Sequence, residues 1–154
     1  MTTSRTALFL SALIFAAAAD AQPPGGGRFG LGIVVGEPTG VTGKVWLHPN
    51  HALDVTASWS FQADGFFAAI DYLFHSPPVA RAASFDLPLY VGVGAALAAG
   101  RHHSAGIGVR VPLGVAFEFK PVPLELTLEV APGAWLAPST DFAIDGGVGL
   151  RYYF

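Results

Sequence analysis

Apolar side chains recur at every second position along most of this chain. In the last segment, Phe142, Ile144, Val148, Leu150, Tyr152 and Phe154 share one face, while Asp145 and Arg151 fall between them. A strand turns successive side chains to opposite faces, so a period of two separates an oily face from a wet one. The same code predicts seven earlier strands. Residues 29–36 put Phe29, Leu31, Ile33 and Val35 opposite mostly glycine, and 41–48 put Val41, Val45 and Leu47 opposite Lys44 and Trp46. In 52–61, Leu53, Val55, Ala57, Trp59 and Phe61 oppose Asp54, Thr56, Ser58 and Ser60; in 65–75, Phe66, Ala68, Ile70, Tyr72 and Phe74 oppose Asp71 and His75. Segments 85–96, 106–119 and 123–131 alternate likewise, with Asp86, Arg110, Glu118, Glu125 and Glu129 on the polar side.

Turn chemistry separates the segments. Glu37-Pro38-Thr39-Gly40, Pro49-Asn50, Ala63-Asp64 and Lys120-Pro121 read as short hairpin links, and 76–84, 97–105 and 132–139 as longer loops. Short links join antiparallel neighbours, so a meander follows. No charge falls on the apolar face. The other face carries Lys44, Asp54, Asp71, Asp86, Arg110, Glu118, Glu125, Glu129, Asp145 and Arg151. A lipid-facing Arg or Lys near mid-bilayer costs about 2–4 kcal/mol. The prediction is an all-β fold: an eight-stranded antiparallel up-and-down transmembrane β-barrel, with lipid outside and charge within.

Eight strands enclose a lumen just wide enough for side chains. Glycines 30, 32, 92, 94, 108, 114, 147 and 149 fall on the inner face and make room for bulkier neighbours. Charges in a dry interior need partners, so ion pairs are expected between Lys44, Arg110, Arg151 and some of the carboxylates, with no open pore. Leu126→Arg is expected to block assembly and Thr127→Arg to be better tolerated.

Composition adds location. The 154 residues are 52% hydrophobic and only 12% charged, with mean hydropathy +0.49, yet no run reaches the ~20 apolar residues of a membrane helix. Arg5, the apolar run 7–19 and Ala19-Asp20-Ala21 read as a signal peptide over 1–21; the rival reading, an uncleaved anchor, is disfavoured by the short run and the lack of a stop-transfer flank. A flexible leader, 22–28, then precedes the barrel, 29–154. There is no cysteine, which excludes disulfides and thiol chemistry, and a net charge of −3 without a basic patch excludes nucleic acid as partner.

Several motifs resemble one family of small Gram-negative outer-membrane β-barrel proteins. They are Gly36-Glu37-Pro38-Thr39-Gly40 followed by Lys44-Val45-Trp46, then Arg110-Val111-Pro112-Leu113-Gly114, Leu128-Glu129-Val130-Ala131-Pro132-Gly133, and the end, Asp145-Gly146-Gly147-Val148-Gly149-Leu150-Arg151-Tyr152-Tyr153-Phe154. The resemblance implies an eight-stranded barrel and no reaction. It also implies that the last strand is the signal read by the outer-membrane assembly machinery, carried by Gly147, Leu150, Tyr152 and Phe154.

Candidate chemistry is sparse. His102 and Ser104 have the His-x-Ser spacing of the lipid A deacylases, a class of outer-membrane barrel enzymes, and Glu118 follows. Glu118, however, lies about 40 Å further along an extended strand, so an exposed polar loop is the plainer reading. His48 and His51 flank a tight turn, and two ligands make a weak metal site. Trp46, Trp59, Trp135, Tyr72, Tyr152, Phe66 and Phe74 read as girdle or core.

The expected function is therefore non-catalytic: a structural or surface-interaction barrel in the outer membrane of a Gram-negative bacterium, with no metal or cofactor. Its expected partners are outer-membrane lipid, lipopolysaccharide and the assembly machinery, and its expected state is monomeric. The alternatives are a lipid A hydrolase using His102 and Ser104, and a soluble periplasmic lipid carrier.

Overall fold

A computed structural model of the chain describes residue 25 and residues 27–60, 65–100 and 105–154. The expected signal peptide and most of the leader lie outside the described residues. In chain order the strands are β1 (Phe29–Glu37), β2 (Thr39–His48), β3 (His51–Ser60), β4 (Gly65–His75), β5 (Ala80–Arg81), β6 (Phe85–Leu87), β7 (Leu89–Gly100), β8 (Gly106–Arg110), β9 (Leu113–Phe119), β10 (Leu124–Ala137) and β11 (Asp141–Tyr153). All pairings are antiparallel, and β11 pairs with β1 from Gly30↔Tyr153 to Glu37↔Gly146, which closes the sheet.

Eleven strands make eight staves because proline interrupts two of them. Pro88 divides β6 from β7, and Val111-Pro112 divides β8 from β9. Proline has no N–H to give the ladder, but its carbonyl still accepts. Pro88 receives Ala116 N–H at 3.0 Å, and Pro112 receives Gly92 N–H at 2.8 Å. Each broken pair therefore continues as one stave. β5 is a small extra: it folds back on β6 at the end of the barrel that holds the 49–50 turn and both ends of the barrel sequence.

Two loops are shorter than the sequence implies. Residues 132–137 are not loop: β10 runs to Ala137, and Gly133 pairs with both Arg110 and Ala143. Pro132-Gly133 has the composition of a turn, but Val111 N–H bonds the Pro132 carbonyl at 2.8 Å, so the pair sits inside the sheet. Likewise, β7 continues through residues 97–100, pairing with β4 as far as Gly100↔Gly65.

Face follows parity. Phe29, Leu31, Ile33 and Val35 point outward, as do Leu128, Val130, Ile144, Val148 and Leu150, all of them exposed. Lys44, Asp54, Asp71, His75, Arg110, Glu118, Glu125 and Arg151 are buried inside. The lumen near the 49–50 turn is closed by packed Trp46, Leu73, Tyr90 and Tyr153. Glycine permits this filling at two close approaches. A Cβ on Gly94 would collide with the Asp71 carboxylate, and one on Gly114 with the Tyr90 ring. Gly94→Val is expected to cost about 1–3 kcal/mol through overpacking. A lowered urea midpoint of the refolded barrel checks this, and an unchanged midpoint refutes it.

Candidate functional site

The described polar groups with chemical potential converge in the lumen, where the staves bring three cations among many carboxylates. Nearest the 49–50 turn lies a cluster around Glu125, which is fully buried. Lys44 Nζ donates to Glu125 Oε2 at 3.0 Å, Tyr153 hydroxyl donates to the same oxygen at 3.0 Å, and Arg151 Nη1 donates to Oε1 at 2.6 Å. Arg151 Nη2 reaches Asp54 Oδ2 at 2.5 Å and Thr42 Oγ1 at 2.7 Å, and Thr42 in turn donates to Asp54 Oδ1 at 2.9 Å. Lys44 is further held by His75 Nε2 at 2.9 Å and by the Trp46 ring, 4.6 Å from Nζ to centroid. Five strands therefore meet in one charge-assisted network.

A second cluster lies further along the axis. Arg110 Nη2 donates to Glu129 Oε1 at 2.6 Å, and the Tyr90 hydroxyl donates to Glu129 Oε2 at 2.8 Å. Asp71 stands 3.5 Å from Arg110 Nε, and Asp145 stands 3.9 Å from Nη1. Arg110 also lies over the Phe67 ring at 5.8 Å. The void beside these clusters holds only about 40 Å³, so the middle of the barrel is filled.

Two carboxylates of the polar face stand apart from these clusters. Asp86 pairs with Lys120 at 3.0 Å, near the turn end and partly exposed. Glu118 is buried, its Oε1 has no hydrogen-bond partner among the described residues, and its strand neighbours are Glu125 and Asp86. The alternation does not mark Lys120 as the partner of Asp86, because a lysine beside Pro121 reads as turn chemistry.

Beyond Phe67 and Trp135, whose rings meet edge to face at 6.4 Å, the lumen opens into a cup of about 580 Å³. Segment 132–139 reads as a loop and Trp135 as girdle or core; Trp135 stands on β10, half-buried at the floor of this cup. Nothing in the alternation marks the cup, because its walls come from the ends of different strands.

The remaining candidates disperse. His102 and Ser104 lie outside the described residues. Glu118 sits near the far end of the stave that begins after them. The His48 and His51 rings lie 6.3 Å apart, and His51 Nδ1 bonds the Tyr72 hydroxyl at 3.1 Å on the outer surface. Leu150, Tyr152 and Phe154 face outward and Gly147 inward. Tyr152 and Phe154 stack edge to face at 5.0 Å, with Phe29 6.5 Å beyond, which gives an aromatic patch at the turn end.

No protein-family model matches the sequence, and no curated protein matches it. Among solved structures, the chain is similar to the crystal structure of the N-terminal β-barrel domain of Pseudomonas aeruginosa OprF. The TM-score is 0.59 at 12% identity, with 86% of this chain and 98% of that chain covered. At that identity the likeness is one of fold.

Proposed function

We propose that this chain is a resident barrel of a Gram-negative outer membrane, with a structural or surface-interaction role and no catalysis. One observation carries the reading. Among the described residues, the outward positions between the two ends of the barrel bear no Asp, Glu, Lys or Arg, while ten charged groups lie on the inward parity. Along β11 the outward run from Phe142 to Phe154 rises about 30 Å for strands tilted near 40°, enough for the ~25 Å apolar band of such barrels. Aromatic side chains stand near both ends of this band: Tyr72, Tyr152 and Phe154 at one, Trp59, Phe66 and Phe142 at the other. A soluble carrier needs the opposite arrangement, with polar groups outside and an apolar cavity.

An even number of staves puts both ends of the barrel on one side, the side this reading places in the periplasm. Outer-membrane lipid and lipopolysaccharide surround the band. The assembly machinery reads the last strand, and the protein works as a monomer. The filled lumen supports a barrel closed to solutes. The test is fractionation with heat-modifiable gel migration, followed by planar-bilayer recording. Retention in carbonate-washed outer membranes and an absence of stable conductance steps are expected. Release by carbonate supports the lipid carrier instead, and large stable pores refute the closed lumen. An altered lipid A mass on overexpression, lost in His102→Ala, would revive the hydrolase.

A further inference from the structure

We propose that the cup at the loop end of the lumen binds small organic cations that carry an apolar or aromatic body. Its volume of about 580 Å³ lies within the range of small-molecule sites. The floor is the edge-to-face pair Phe67 and Trp135, and Ala98, Ala137 and Pro138 add apolar wall. Aromatic faces attract cations through their quadrupole, most strongly where water is displaced. The cup is blind, because Arg110 and its partners fill the lumen below.

The charge balance of this half of the barrel is the independent reason. Asp71, Glu129 and Asp145 gather around one guanidinium, that of Arg110. Glu37 and Asp141 add two more carboxylates to the cup wall. Glu37 accepts a hydrogen bond from Ser60, which is a neutral donor. Among the described residues lining the cup, every ionisable side chain is acidic. Carboxylates gathered in a confined, partly dry space favour an incoming positive charge. Among the described residues, β1 leaves β11 at Glu37↔Gly146, whereas β11 continues to Asp141 on the cup wall.

The shape selects for a compact body, and the charge selects its sign. Benzyltrimethylammonium and phenylacetate share a phenyl ring and differ in sign, so together they probe both features. The cup belongs to the fold and needs no membrane, so the test uses the mature barrel refolded in neutral detergent and stays separate from the question of location.

Benzyltrimethylammonium is expected to bind saturably by calorimetry and to change tryptophan fluorescence, at least roughly tenfold more tightly than phenylacetate. Asp141→Asn, at an exposed position, is expected to weaken the cation about threefold or more. Trp135→Phe should remove most of the fluorescence response, and Trp135→Ala most of the binding. Heat-modifiable migration verifies that each variant is folded. Equal affinity for the two probes, no saturation by ~10 mM, or full affinity in Asp141→Asn would overturn the proposal.

Discussion

Arginine in place of Leu128 is expected to keep the barrel from assembling. Leu128 is 56% exposed on the outer face, paired with Val115 and Val148, and lies midway between the strand levels of Tyr152 and Phe142. In the membrane placement proposed above, a guanidinium there would meet acyl chains at mid-bilayer, at a cost of about 2–4 kcal/mol. Because that cost depends on depth, Leu126→Arg, nearer Tyr152, should be milder. The inward control has to be small. Thr127 is only 7% exposed, and its hydroxyl occupies the space a Cβ on Gly149 would need. An adjoining void of about 40 Å³ cannot take an arginine, so the tolerance expected of Thr127→Arg gives way to Thr127→Ser as the harmless neighbour. The readout is the heat-modifiable fraction in outer membranes. Leu128→Arg should lose it and Thr127→Ser should keep it; equal behaviour of the two would disprove the face assignment.

Removing the Glu125 carboxylate is expected to have the second large effect. This group is fully buried and accepts from Lys44, Arg151 and Tyr153. Arg151 retains Asp54 when Glu125 is lost, but among the described residues Lys44 keeps only neutral neighbours, His75 and the Trp46 and Tyr90 rings. Deleting one partner of a buried ion pair strands the other, at roughly 3–5 kcal/mol. Glu125→Ala should therefore lower the urea midpoint of the refolded barrel by that equivalent. Deleting the stranded cation as well, in Lys44→Met with Glu125→Leu, should recover part of the loss, since an apolar pair of similar size can replace a buried ion pair. An unshifted midpoint in the single variant would show that the network adds nothing to stability.

The likeness to a solved outer-membrane barrel extends over almost all of that domain while sharing few residues. A barrel wall demands little of sequence. Each outward position requires only an uncharged side chain that tolerates lipid, and each inward position only a volume that fits. Many sequences satisfy both conditions, so fold persists where identity does not.

How much of the molecule is legible along the chain depends on the range of the interaction involved. Face and strand number are local properties. Alternation sets which side of the sheet Leu31, Lys44 or Asp54 occupies, and hairpin links set the antiparallel order, because strand geometry acts over two residues. Pro132-Gly133 shows where local signals fail: its turn composition is overridden by the ladder bonds that β8 and β11 supply. The ion partners were set at longer range. Arg151 meets Asp54, 97 residues away, only because β11 closes on β1 with a particular stagger. That same closure leaves Glu118 Oε1 without a hydrogen-bond partner among the described residues, lifts Trp135 onto the floor of the cup and gathers Glu37, Asp141 and Asp145 around its wall. The sequence by itself determined a closed meander with oil outside and charge inside. The tertiary structure alone decided which charges meet, because contacts across a lumen depend on closure and shear, which no local pattern encodes.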